Sequence, residues 1–144
     1  MKIKDVIRHK DSQAVVTISP EATVRELVAL LAEHNVGALV VSEDGERVAG
    51  IVSERDVVRR LHQDATVLDH AVSSIMTADV RTCGGDDGLT ELMQTMTEHR
   101  IRHVPVVADG RLTGIISIGD VVKHRLDDLE LETNVLRDTR IAAR

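Results

Sequence analysis

The feature that most constrains this chain is that it repeats itself. Thr17 to Gly45 overlays Thr82 to Gly110 at a constant offset of 65; with one residue dropped after the Asp-Gly pair, Val48 to Arg59 overlays Leu112 to Lys123 at an offset of 64. Identical positions include Glu26/Glu91, Leu27/Leu92, Glu33/Glu98, His34/His99, Asp44/Asp109, Gly45/Gly110, Gly50/Gly114, Ile51/Ile115 and Ser53/Ser117, and Asp56-Val57-Val58 matches Asp120-Val121-Val122. A long match with its turns and glycines in register marks an internal duplication. A copy of roughly 50 residues cannot bury both faces of a sheet, so the two copies are expected to pack on one another as one α/β module.

Each copy reads β-α-β-β-α. In the first, Ser19 is the expected N-cap and Pro20 the first helical residue, with Val24, Leu27, Val28 and Leu31 on the buried face. Strands follow at Gly37 to Val41 and Val48 to Val52 around the Asp44-Gly45 turn, and Ser53-Glu54-Arg55-Asp56 opens a second helix. The second copy repeats the order: a helix with Leu89, Leu92, Met93 and Met96, strands around Asp109-Gly110, and a closing helix opened by Ser117-Ile118-Gly119-Asp120. The chain divides into repeat 1 (3–62), a polar linker (63–73), repeat 2 (74–126) and a C-terminal helical extension (127–144). Val122, Leu126, Leu129 and Leu136 continue an apolar helical stripe, able to dock on the module or on a second chain.

Composition narrows the function. No apolar run approaches a membrane span, the N-terminal residues lack a secretory stretch, and the single cysteine, Cys83, forms no intrachain disulfide, which together predict a cytoplasmic location. The formal net charge of −6 disfavours general affinity for nucleic acid. There is no Phe, Tyr or Trp, so the core is Val, Leu, Ile, Ala and Met, and a bound base would lie between aliphatic side chains. His99 and His103 stand four apart, but the repeat puts one at a helix end and the other in a strand, so no metal site is expected. No nucleophile–base pair is evident, and an enzyme is not expected.

The chemistry lies in the two Ser-x-x-Asp elements. A carboxylate accepts two hydrogen bonds, which suits a cis-diol such as a ribose. Three residues earlier, Ser53 or Ser117 stands at a helix entrance, where free N–H groups and the helix dipole favour an anion. The same pattern is also an ordinary helix cap, and local sequence does not separate the two roles.

The string Gly114-Ile115-Ile116-Ser117-Ile118-Gly119-Asp120-Val121, preceded by His103-Val104-Pro105-Val106-Val107, resembles the motif of the cystathionine-β-synthase (CBS) domain family. Gly50-Ile51-Val52-Ser53-Glu54-Arg55-Asp56-Val57 is similar, and Ser74-Ile75-Met76-Thr77 looks like the family's lead-in. The resemblance implies a stand-alone tandem pair, a flat module with two pseudo-symmetric clefts that take adenosine-containing ligands: AMP, NAD, ADP, ATP or S-adenosylmethionine. It implies that the aspartate holds the ribose, the serine lies near the first phosphate and basic residues take the phosphates.

Two sites are expected on that basis. The first comprises Ser117 and Asp120, with Val36 and Gly37 crossing from repeat 1, Arg102 and His103 as cations, and Gln13 by the base. The second comprises Ser53, Arg55 and Asp56, with Ile101 and Arg102 crossing over and Ala78 near the base. The first is favoured because Arg102-His103 stand where repeat 1 has Gly37-Ala38. The expected function is a homodimeric sensor of an adenine nucleotide, AMP or NAD above ATP, read by an unidentified protein effector. The alternative is a ligand-independent dimeric interaction protein with vestigial clefts.

Overall fold

The computed structural model of the chain describes residues 1–8 and 15–142, with side chains as far as residue 137. In chain order the elements are α1 (Ile3–Arg8), β1 (Thr17–Ile18), α2 (Val24–His34), β2 (Ala38–Val41), β3 (Gly50–Ser53), α3 (Glu54–Gln63), α4 (Leu89–His99), β4 (His103–Ala108), β5 (Arg111–Ser117) and α5 (Ile118–Ala142), with short 3₁₀ turns at Ala65–Asp69 and Val72–Ser74. The α/β architecture and the duplication both hold. β1 runs parallel to β2, which pairs antiparallel with β3; Ile18 stands opposite Val41. In repeat 2 the first strand shrinks to one parallel bridge, Cys83 opposite Val106, beside the antiparallel pair β4–β5.

Each repeat has its own core, and each core is closed by a segment from outside it. Ile3 and Val6 of α1 are fully buried among Leu92, Met96, Val104 and Ile116 of repeat 2. Conversely Val72, at the end of the 63–73 stretch, and Ile75, at the start of repeat 2, are buried among Leu27, Leu39, Val52 and Val57 of repeat 1. The backbone bonds match pair for pair. Ile3 N donates to Asp87 O (3.0 Å) as Val72 N does to Ala22 O (2.8 Å), Lys4 N to Gly85 O (2.8 Å) as Ser73 N to Pro20 O (3.0 Å), and Leu89 N to Met1 O (3.1 Å) as Val24 N to His70 O (2.9 Å). The 63–73 stretch is therefore more than a polar tether, since Val67 and Val72 belong to the first core. Outside the cores, Lys4 Nζ lies 3.0 Å and Lys2 Nζ 3.9 Å from Asp86 Oδ1, and the Lys4 hydrogen bond and charge hold the Asp86 carboxyl below its ordinary range.

Gly50 and Gly114 follow from this exchange. A Cβ on Gly50 would stand 2.7 Å from Met76 Sδ and 2.9 Å from the Thr77 carbonyl oxygen; a Cβ on Gly114 would stand 2.8 Å from Ile7 Cδ1. The shared glycine is where the incoming segment lies on the last strand of each repeat.

Three local expectations change. The α2 cap is Thr23, whose Oγ1 accepts from Glu26 N at 3.1 Å; Ser19 and Pro20 form the turn before it, with Ala22 N donating to Ser19 O. Thr23-x-x-Glu26 has the spacing of a capping box, and a threonine just before the apolar periodicity displaces the earlier serine. The repeat-1 hairpin is a wider loop, with strand pairing resuming at Gly50; buried Ser42 closes it by accepting from Gly45 N and donating to Asp44 Oδ1. In repeat 2, Asp109 and Gly110 (φ 52° and 77°) make the tight turn that both copies were expected to share. Finally, the closing helix and the C-terminal extension are one helix, α5, of 25 residues.

Two predictions follow. Gly50→Ala destabilises the fold by about 1–3 kcal/mol through overpacking, and Gly114→Ala by less, because one atom blocking Gly50 is backbone whereas Ile7 Cδ1 is the end of a flexible side chain. Urea titration followed by far-ultraviolet circular dichroism checks the order. The Cys83 thiol is buried against Pro105 O (3.7 Å), and burial, with the Asp87 carboxylate second, pushes its pKa up to about 12. It therefore stays a protonated, unreactive thiol at pH 8 and is labelled by a thiol reagent only after denaturation, as a labelling time course would show.

Candidate functional site

The two Ser-x-x-Asp elements are built alike. In repeat 1, Ser53 caps α3: its Oγ accepts from Asp56 N (3.3 Å), while Asp56 Oδ2 accepts from Ser53 N (2.8 Å) and Oγ (3.0 Å). In repeat 2, Ser117 Oγ accepts from Asp120 N (3.2 Å) and Asp120 Oδ2 accepts from Ser117 N (2.9 Å). The aspartates are half-buried capping-box residues, as the cap reading expects. The cap engages Oδ2, and a carboxylate has about four acceptor sites on its two oxygens, so capping and acceptance from a diol are chemically compatible.

Strand register brings the partner residues to these helix entrances. His103 stands opposite Ser117 on β4–β5, and Ile118 N donates to Arg102 O (2.8 Å). Ala38 stands opposite Ser53 on β2–β3, and Glu54 N donates to Gly37 O (2.9 Å). The repeats meet at these same positions. A Cβ on Gly37 would lie 3.4 Å from His103 Cε1, 3.5 Å from His103 Nε2 and 3.6 Å from Glu54 Oε1. A third link lies at the hairpins, where Leu112 N donates to Glu46 O (2.6 Å) and Arg111 Nε is 4.0 Å from Glu46 Oε2.

Of the first expected site, the structure thus gathers Gly37, Arg102, His103, Ser117 and Asp120, with exposed Val36 next to Gly37 in the chain; Gln13 lies outside the described residues. Of the second, Ser53, Arg55 and Asp56 share the first turn of α3. Ala78 follows Thr77, which exchanges two backbone hydrogen bonds with Ile51 (3.0 and 2.9 Å), so it stands beside the strand that ends at Ser53. Ile101 packs half-buried against the second core, and Arg102 is exposed next to it. Glu54 is the residue that sequence reasoning missed. Its place one residue into the helix, opposite Ile118 in the alignment, was the available signal.

A cavity of about 120 Å³ lies away from both elements, lined by Arg60, Gln63, Asp64, Val67, His70, Ser74 and Ile75. It is well below the roughly 300–1,000 Å³ of ligand pockets. Among the described residues, no group of three or more His, Cys, Asp or Glu side chains is placed to hold a metal, and no helix is long and apolar enough to cross a membrane.

Comparison with known proteins gives the same two halves. The CBS domain model matches residues 3–63 and 72–127. A mitochondrial CBS domain-containing protein of Arabidopsis thaliana is 38% identical over 129 residues, 84% of this chain; the chain spans 63% of that relative's length. The crystal structure of a CBS-domain containing protein from Agrobacterium tumefaciens is similar at 43% identity and a TM-score of 0.81, covering 87% of this chain and 99% of that one. A CBS domain protein from Pyrobaculum aerophilum, complexed with AMP, is similar at 32% identity and a TM-score of 0.78, covering 92% and 99%. The family model recurs where the internal repeat predicts it, and the chain belongs to the CBS domain family as a tandem pair.

Proposed function

We propose that this CBS pair is a non-catalytic regulatory module that binds an adenine nucleotide at its Ser-x-x-Asp elements, AMP or NAD in preference to ATP, and signals through a homodimer to a protein effector in the cytoplasm. The observation that carries the reading is the crossing of repeats, where the His103 imidazole stands against Gly37 and is paired in register with Ser117, three residues from Asp120. A carboxylate, a helix entrance and an imidazole within one short stretch are groups that suit a diol and a phosphate, and their proximity supports the reading. The AMP complex of the Pyrobaculum aerophilum relative supports the ligand class.

Charge supports the ranking. The Glu54 carboxylate shares the crossing with His103, so each added phosphate meets an acid as well as a base. The sequence also lacks the Gly-rich, lysine-bearing loop that cradles a triphosphate and its magnesium. Exposed Val58 and Leu61 on α3 and Val122 on α5 supply apolar helix surface for a second copy. The only thiol is buried and held protonated, in keeping with a module that performs no covalent chemistry.

A charged-acceptor hydrogen bond contributes about 1.5–3 kcal/mol, so Asp120→Ala weakens AMP binding by about tenfold to a hundredfold, and Asp56→Ala does so if the second site fills. Calorimetry reads the affinity, and circular dichroism checks that loss of the cap, costing about 0.5–2 kcal/mol, leaves the variant folded. Unchanged affinity in both variants, or no binding of AMP, NAD, ATP or S-adenosylmethionine by the parent, would favour the interaction protein with vestigial clefts. With no aromatic residue, the chain barely absorbs where adenine does, so a co-purified nucleotide shows in the spectrum of the protein after denaturation and filtration.

The phosphate end has its own test. The protonated form of an imidazole attracts phosphate, so AMP binds more tightly at the lower pH and His103→Ala weakens both the binding and its dependence on pH. Titrations of AMP, NAD and magnesium–ATP at pH 6 and 8 check it. Tighter binding of ATP, or a pH dependence that survives unchanged in the variant, contradicts the assignment.

A further inference from the structure

From Val122 to Leu136, α5 carries an apolar seam that the module leaves uncovered. Val122, Leu126, Leu129, Thr133 and Leu136 follow one another at spacings of 4, 3, 4 and 3, the heptad pattern of a two-stranded coiled coil. Val122, Leu126, Leu129 and Leu136 are 48%, 59%, 42% and 64% exposed. Thr133 fits the seam despite its hydroxyl, because Oγ1 donates to the Leu129 carbonyl at 2.9 Å and brings no unpaired donor. Leu131 and Val135, also exposed, fall at f and c, on the face of the helix away from the seam.

The flanking charges identify the occupant as a second copy of this chain. With Leu126 and Thr133 as a positions and Val122, Leu129 and Leu136 as d positions, Arg125 and Glu132 are at g and Glu130 and Arg137 at e. In a parallel pair each g residue faces the partner's e residue five positions on. Arg125 then meets Glu130 of the partner subunit and Glu132 meets Arg137 of the partner subunit, opposite charges in both cases, while all five seam layers meet their own copies. One antiparallel register sets Glu130 against the partner's Glu130 and Lys123 against the partner's Arg137, like against like. The antiparallel register that matches opposite charges sets Leu136 against the partner's Gly119, where there is no side chain to pack.

We infer that α5 pairs, from Val122 to Leu136, with α5 of a second copy as a parallel two-stranded coiled coil. This rests on the dimer reading, because two heptads are too short to hold a dimer alone and extend a contact begun by the module helices. A parallel pair puts both modules at the same end, where Val58, Leu61 and Val122 can meet as well.

Leu136→Cys tests it in the full chain. Oxidation of the variant yields a disulfide-linked dimer, because the two 136 positions are adjacent in a parallel pair; in the charge-matched antiparallel register they lie about 26 Å apart along the helix. The parent, whose only cysteine is buried, is the control that does not cross-link. Light scattering returns the mass of two chains for the parent, and Leu129→Glu raises the dimer dissociation constant at least tenfold with the circular dichroism spectrum retained. A dimer whose Leu136→Cys form does not cross-link and whose Leu129→Glu form is undisturbed overturns the coiled coil and leaves dimerisation through the module helices standing. A monomeric parent overturns both, and a mass above two chains overturns two-stranded pairing by bringing Leu131 and Val135 into the assembly.

Discussion

Ile3 and Val6 enter the second core from α1, and Val72 and Ile75 enter the first core from the segment that leads into the second repeat; the rest of the molecule is arranged around that exchange. Full burial of such a side chain contributes about 1.5–3 kcal/mol, so the four together contribute on the order of 6–12 kcal/mol. That is comparable to the whole net stability of a small domain, about 5–15 kcal/mol. A single repeat without the other's segment would forfeit half of this and leave a strand face open. The exchange therefore makes the pair one cooperative unit, even though the first and second cores are separate clusters.

Because the segments cross, the beginnings of the central strands also cross. The chain passes from the end of α2 through Gly37 into β2, and from the end of α4 through Arg102 into β4; Asn35 and Arg100 make the same left-handed turn (φ 52° and 53°) before each strand. The carbonyls of Gly37 and Arg102 then accept the first N–H of α3 and α5, which fixes each helix entrance against a strand start. Site geometry is thus inherited from core geometry. The proposed ligand, if held at Ser117 and Asp120, would touch a helix entrance, a strand start and, through Gly37, the other repeat, and its binding would then add to the stability of the packed pair by mass action.

How much of this could be read from the residues differs by level. The duplication, the α/β order and the Ser-x-x-Asp caps were legible, because each is a local pattern whose physics is complete within four residues or repeats in register. The Ser19 cap was misplaced by four residues, since Ser19-Pro20 and Thr23-x-x-Glu26 are both good starts and tertiary contact with the 70–73 segment selects the second. The exchange was not legible. Ile3, Val6, Val72 and Ile75 are apolar residues in short segments, and nothing in their spacing says which of two similar cores they close. The recurrence of glycine at 50 and 114 was legible, but not that Met76 and Ile7 are what lies against them. Glu54 escaped notice because its importance comes from Gly37 and His103, both distant in sequence.

The divergence of the two copies at 37/102 and 38/103 has a steric cause. At the crossing, the position of a Gly37 side chain is already bounded by the His103 ring and the Glu54 carboxylate, with a Cβ just reaching contact distance from both. An arginine there, as at the equivalent Arg102, would have to displace the imidazole or leave its own strand start. Ala38, the counterpart of His103, is buried, so an imidazole at that position would lose its hydration within the first core. Only one repeat can therefore project a basic pair at this crossing, and the other must present small residues to receive it. Duplication made two equivalent helix entrances; packing at the crossing left them with unequal charge. A module whose two elements share a fold but differ in charge can take two ligands of different phosphate content, or one ligand in preference, without any change in the backbone that joins them.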